Sequence, residues 1–329
     1  MKRRDIINIG ILLIVVVVAV YRYKAQNFTE TRSRFMMDTL VEISFTTRRK
    51  NVREIMDNTI DLIAEYEKKL SYYDDKGELW RINHAEQDSV EIDYDFYELF
   101  SLAEIFYHQT EGYYDITVGA LTDLWDFDRT YPPPADSIAA ALENVSFTRI
   151  SFKPGYLIRP PGIKINLGSI AKGFIIDKAI EYAVSQEVTQ GYINAGGDIR
   201  LFSDDDKEQL IGIQHPRDIN DLIDILSVAN KAIVTSGDYE RFFEYQGRRY
   251  HHIINPVIGY PVENIYSVTV IAPNTLLADI MSTAIFLLPP DEGIALVKSY
   301  PETEAIIYFQ EANQIVSLRT EGIRKYIRE

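Results

Sequence analysis

The sequence predicts an α+β fold, on three observations. Apolar residues recur at helical spacing in several separate segments, and runs rich in β-branched and aromatic residues mark strands. The two kinds interleave without the regular alternation of a doubly wound sheet. With 329 residues and 46% hydrophobic content, the chain is long enough to bury a large core.

At the N-terminus, Lys2, Arg3 and Arg4 precede an apolar run from Ile6 to Val20, broken only by Asn8 and Gly10. This pattern reads as an export signal, and Tyr21 and Tyr23 extend it toward the interface. Ala25 offers a weak cleavage site, so residues 1–23 are read as an uncleaved anchor in preference to a removed signal peptide. Basic residues ahead of the run place the N-terminus in the cytoplasm and the rest of the chain outside. Residues 24–34 are polar and aperiodic, which predicts a tether, and the folded domain is expected over 35–329.

Leu40 to Phe45 alternates like a strand, and Val52, Ile55, Met56, Ile60, Ile63 and Tyr66 then follow a helical period. A second helix is predicted through Phe96, Leu99, Phe100, Ala103 and Phe106. Pro132-Pro133-Pro134 stops whatever precedes it. Further helices are expected from Ser169 to Val184 and across Leu276 to Leu288. Tyr266 to Ala272 and Glu304 to Phe309 read as late strands, with Gln314 to Leu318 pairing back around Asn313.

The formal charge of −15 argues against a nucleic-acid backbone as partner, since that affinity comes from clustered Lys and Arg. With no cysteine, the chain has no disulfide, thiolate metal site or cysteine nucleophile. Four polar, glycine-bearing or hydroxyl-bearing segments remain to carry chemistry. Asn166 to Gly173 turns through Gly168 into a helix that starts near Ser169, where free backbone N–H groups and Lys172 could meet an anion or merely form a cap. Asn194 to Asp198 contains two adjacent glycines, which allow either close approach of a ligand or a tight turn capped by Asp198. Asp279 and Thr283 stand four apart on one helical face, a geometry that suits Mg²⁺, with hydroxyl back-bonding as the alternative. In the segment from Thr235-Ser236-Gly237-Asp238-Tyr239 to Pro261, His251 and His252 are adjacent. In an extended chain their side chains point to opposite faces, so one is free to move a proton while the other packs. His84, His108 and His215 carry no such signal.

Together these segments resemble the ApbE family, the FAD:protein FMN transferases. The resemblance runs through Met37-Asp38-Thr39, Ser71 to Asp74, Gly112 to Gly119, Asn166 to Gly173, Asn194 to Ile199, Thr235 to Tyr239, His252 to Pro261 and Ala278 to Ala284. It implies a T-fold-like arrangement of mixed sheets and packed helices, and an exported enzyme. That enzyme would use Mg²⁺ to cleave the pyrophosphate of FAD, attach FMN to a Thr or Ser of a partner protein and release AMP. Carried over by motif position, Met37, Tyr73, Tyr113, Tyr114, Asp115, Asn166, Lys172 and Ile254 would contact FAD. Asp279, Thr283 and the carbonyl of Ser169 would hold the metal, and His252 would be the base. The expected partner is an extracytoplasmic domain of a membrane redox protein, and the expected location is the inner membrane with the catalytic domain on its periplasmic side. An FAD pyrophosphatase and a non-catalytic flavin-binding protein are the alternatives. The chain departs from the family pattern at Asp38, where glycine is usual, at Asn255, where aspartate is frequent, and at Val257-Ile258, where a basic residue and Thr commonly stand.

Overall fold

The computed structural model describes residues 11–16 and 26–328. Most of the apolar run read as an anchor lies outside them. Among the described residues no helix is long and apolar enough to cross a membrane, so anchoring rests on the sequence alone.

The domain opens on a hairpin, β1 (Phe28–Met36) and β2 (Thr39–Thr47), followed by α1 (Val52–Leu70), α2 (Glu78–His84), β3 (Ser89–Glu91) and α3 (Tyr94–Gln109). Short helices α4 (Gly119–Thr122) and α5 (Ala135–Leu142) and strands β4 (Ser151–Lys153) and β5 (Tyr156–Ile158) lead to α6 (Ala171–Ser185). The strands β6 (Val188–Ala195), β7 (Asp198–Ser203), β8 (Gln209–His215), β9 (Asp218–Val228), β10 (Ala232–Gly237), β11 (Phe242–Tyr245), β12 (Arg248–His251) and β13 (Ile265–Ala272) come next. Helices α7 (Thr275–Phe286) and α8 (Pro290–Val297) and strands β14 (Glu304–Glu311), β15 (Gln314–Arg319) and β16 (Ile327–Arg328) complete it.

The main sheet has the order β1-β2-β6-β7-β10-β13-β14-β15. Each neighbouring pair in it is antiparallel. Successive residues in its central strands face opposite sides, and both sides are covered. Val234 and Val270 join the large core with α1, α6 and α7, while Ile233 and Ile271 join a second core under the small sheet β16-β9-β8. Burial on both faces explains the near-continuous apolar run of β13.

Two expectations need correction. The predicted tether is strand from Phe28 onward, paired with β2 from Phe28↔Thr47 to Met36↔Thr39. Its polar residues belong to an edge strand with one open face, which carries little apolar signal. The helix placed at Ser169 begins at Ala171, because residues 168–170 form a turn. The triple proline, read as a stop, is crossed by no element and also precedes a helix: Pro134 is the residue at the N-terminal boundary of α5.

Candidate active site

Helices α6 and α7 meet at Gly173. A Cβ there would lie 2.5 Å from the Thr275 carbonyl oxygen and 2.7 Å from Asp279 Cβ, so only glycine permits the approach. Across this contact the Gly173 N–H donates to Asp279 Oδ2 at 2.8 Å. A helical N–H would ordinarily bond four residues back. The Ser169 carbonyl is thereby left without a backbone donor among the described residues. The Ser169 hydroxyl is engaged separately, 2.8 Å from Tyr114 Oη. Asp279 is only 4% exposed. Burial, and then the charge of Asp198, push its carboxyl well above the ordinary range. Thr283 lies one turn further along α7 and is half-buried. The Ser282 hydroxyl donates to the Asp279 carbonyl at 2.9 Å and meets Ser236 Oγ at 2.8 Å, tying α7 to β10.

A buried carboxylate beside a donor-free carbonyl and a helical hydroxyl is an all-oxygen donor set, which fits a hard cation such as Mg²⁺. Among the described residues no group of three His, Cys, Asp or Glu could hold a metal. The fit is therefore to a cation that takes few carboxylates and completes its shell with water or phosphate, and not to a zinc-type cage.

Lys172 stands in this acidic surround. Its Nζ is 2.6 Å from Asp198 Oδ2, a charge contact without the angle of a directed hydrogen bond. Burial opposes the ammonium charge, but Asp198, Asp279 and Glu240 outweigh it and hold the amine firmly protonated. Glu240 keeps an open surface, so the upward push on its carboxyl from dense surroundings and Asp198, to about 7, is relieved by solvent. Asp198 follows the tight β6–β7 turn at Gly196 and Gly197, where φ is 65° and 106°. The turn is held by Asn194 Oδ1, which accepts from Gly197 N at 3.1 Å. Asp198 is thus left to the lysine and does not cap the turn.

The two histidines divide as their alternation predicts. His251 is buried, its Nε2 donates to the Val262 carbonyl at 2.7 Å, and its Nδ1 accepts from Ile253 N at 3.3 Å. Both ring nitrogens are occupied. His252 Nδ1 is buried and has no hydrogen-bond partner among the described residues. Burial first, then the charges of His251, Lys172 and Arg241, lower its pKa to about 3. The ring is therefore neutral at physiological pH and able to accept a proton.

The remaining residues spread around this centre. Met37 and Asp38 form the two-residue β1–β2 turn with φ of 52° and 58°, and the Met37 N–H donates to Glu67 Oε1 at 2.7 Å. Both positions are left-handed, which favours glycine but is tolerated by Asp, so the departure at Asp38 leaves the turn intact. Tyr73 presents an exposed ring, packed edge-on against Tyr72 at 5.1 Å. Tyr113 is half-buried against the core, and Ile254 is half-buried and bridges to Pro261. Asn166 donates to Thr122 Oγ1 at 2.9 Å and accepts from Gly168 N at 2.7 Å, which shapes the turn before Ser169. Asp115 uses Oδ1 for Thr117 N and Oγ1, at 2.7 and 2.6 Å, and Oδ2 for Phe147 N at 3.0 Å. Its carboxylate thus organises a loop. Asn255 Oδ1 accepts from Val257 N at 2.8 Å, a turn bond an aspartate would also make, while Val257 and Ile258 are exposed.

The sequence matches the ApbE family model over residues 37–307, a span that contains all of these positions. The chain belongs to the ApbE family. Among its ApbE relatives, the FAD:protein FMN transferase of Treponema pallidum is 29% identical over 85% of this chain and 84% of its own length. That of Klebsiella pneumoniae is 31% identical over 78% of this chain and 82% of its own. The crystal structure of the ApbE protein from Thermotoga maritima is 31% identical and superposes with a TM-score of 0.84, covering 92% of this chain and all, 100%, of that one. The flavin transferase ApbE from Vibrio cholerae shares the fold, with a TM-score of 0.82 at 23% identity over 92% of this chain and 100% of its own.

Within this ApbE site, sequence reasoning passed over Glu240 and Arg241, although both directly follow the Thr235 to Tyr239 segment. It also passed over Asp177, whose carboxylate accepts from Thr275 N at 2.9 Å and Leu276 N at 2.7 Å. The N-cap of α7 is the local Asn274, whose Oδ1 accepts from Leu277 N at 2.8 Å, but the acceptors for the two N–H groups before it come from α6, distant in sequence, and no local pattern announces them.

Proposed function

We propose that this ApbE protein is an FAD:protein FMN transferase that uses Mg²⁺ to move FMN from FAD onto a Thr or Ser hydroxyl of a partner protein, releasing AMP. The observation that carries the reading is the pairing of a neutral, unpartnered His252 with the Asp279 and Ser169 oxygen set, both within the field of Lys172. The names of the relatives support the substrate.

In the reaction, the acceptor hydroxyl oxygen forms a bond to the phosphorus on the FMN side of the pyrophosphate. The bond from that phosphorus to the bridging oxygen breaks, and its electron pair leaves with AMP. His252 takes the hydroxyl proton. Asp279, Thr283 and the Ser169 carbonyl would hold Mg²⁺, which when bound neutralises charge on the pyrophosphate oxygens. Met37, Tyr73, Tyr113, Tyr114, Asp115, Asn166, Lys172 and Ile254 line the proposed path of FAD by their motif positions. The N-terminal run behind Lys2, Arg3 and Arg4 supports a catalytic domain outside the cytoplasmic membrane, with an extracytoplasmic domain of a membrane redox protein as acceptor.

The test is to incubate the protein with FAD, Mg²⁺ and a Thr-containing peptide from a flavoprotein, then weigh the peptide. A covalent adduct with the mass of FMN is expected. AMP with free FMN would make the protein a hydrolase, and bound but intact FAD would make it a binding module. Orientation is checked separately with protease on intact spheroplasts, where digestion of the domain is expected and its protection would reverse the topology.

A further inference from the structure

The hairpin β11–β12 runs in register from Tyr245↔Arg248 to Phe242↔His251. One step further, the His252 N–H donates to the Arg241 carbonyl at 3.0 Å, which sets these two residues directly opposite one another. Residues opposite on antiparallel strands send their side chains to the same face, with Cβ atoms about 4.5–5.5 Å apart. Arg241 therefore shares the face of His252. Its charge also reaches Tyr73, so it lies near both the proposed base and a proposed contact of FAD. Although the chain carries 49 Asp and Glu against 34 Lys and Arg, the exposed guanidinium of Arg241 has no carboxylate partner among the described residues. Lys172, by contrast, is already held by Asp198.

In phosphoryl transfer the attacking oxygen and the leaving oxygen lie roughly in line through the phosphorus. A base stands beside the attacking oxygen. A cation on the same face as that base therefore borders the nonbridging oxygens of the phosphate being transferred, with the departing AMP on the far side. The planar fork of arginine matches two such oxygens at once, and the group neither gains nor loses a proton in the step.

We propose that Arg241 is a catalytic residue whose guanidinium binds the nonbridging oxygens of the FMN-side phosphate. The assignment rests on the transferase reading above. It predicts that the protein distinguishes FMN from riboflavin, which differ only by that phosphate, and that Arg241 makes the distinction.

Flavin fluorescence quenching in the presence of Mg²⁺ reads this without turnover. Wild type should bind FMN more tightly than riboflavin, and Arg241→Gln should weaken FMN roughly tenfold or more while leaving riboflavin unchanged, the scale expected for a charge-assisted pair. Arg241→Lys should fall between. In the transfer assay Arg241→Gln should lower kcat by about 10²-fold or more with a smaller change in KM for FAD. Thermal melting checks that both variants remain folded. Equal loss of FMN and riboflavin binding, or a wild type indifferent to the phosphate, would overturn the assignment. An Arg241-dependent preference for FMN in a protein that transfers nothing to the peptide would retain the phosphate contact but reject the transferase reading and, with it, the catalytic role.

Discussion

His251 and His252 differ by one position and face different chemistry. His251 has both ring nitrogens bonded to backbone, so His251→Ala should cost about 1–3 kcal/mol of stability, measured by urea unfolding, and comparatively little turnover in the surviving folded protein. His252→Ala should slow transfer by roughly 10²-fold or more with FAD affinity little changed, the usual contribution of a general base. Equal kinetic losses in the two folded variants would show that the division of roles between the two faces is mistaken. The shifted ring also has a pH signature. Unfolded, His252 titrates near 6.5, but in the fold its pKa is about 3, so between these values the unfolded chain binds more protons. This residue therefore makes stability fall as pH drops below 6.5, and His252→Asn should flatten that part of the stability profile. Asp279→Ala should abolish turnover and remove any thermal stabilisation by Mg²⁺, while Thr283→Val should be milder because water can replace one neutral ligand. The opposite faces of the histidines and the i,i+4 pair Asp279/Thr283 were legible in the sequence because each depends only on local geometry. Arg241 and Glu240 were not, because their meaning comes from a strand opposite and from Lys172, some 70 residues away.

Helices α6 and α7 show what periodicity could and could not supply. Their existence follows from apolar spacing, as do those of α1 and α3. Their mutual approach does not, since it turns on Gly173 and on the N–H acceptors that Asp177 provides from one helix to the other. Gly173→Ala would set a methyl 2.5 Å from the Thr275 carbonyl and 2.7 Å from Asp279 Cβ, and the helices must separate to admit it. Overpacking of this kind costs about 1–3 kcal/mol. It also displaces Asp279 from the Ser169 carbonyl, so the requirement for Mg²⁺ should rise beyond what the lost stability explains. A titration of activity against Mg²⁺, beside a melting curve, separates the two, and an unchanged Mg²⁺ requirement would detach this helix contact from the proposed Mg²⁺ site.

At the scale of the molecule, the site draws on segments from Met37 to Thr283, and the sheet order that gathers them is not written in any one of them. The α+β class was legible because strands and helices differ in period. The burial of both sheet faces was not, because a run such as β13 reads the same in several architectures. The clearest difference lies at the sheet edge, where a polar segment that reads as a tether pairs with β2 from Phe28 onward. Removing β1 would leave β2 as an open edge and delete one side of the turn that carries Met37 and Asp38. A shortened chain beginning at Gln26 retains every residue of the main sheet, whereas one beginning at Phe35 loses most of β1. The second should melt several degrees lower, at about 2–4 °C per kcal/mol lost for a domain of this order. It should also self-associate, because an unpaired strand edge recruits other chains. Melting curves and size-exclusion profiles of the two, run side by side, read both effects. Matching melting temperatures and monomeric elution would show that the domain does begin near Phe35 and that β1 adds nothing to it.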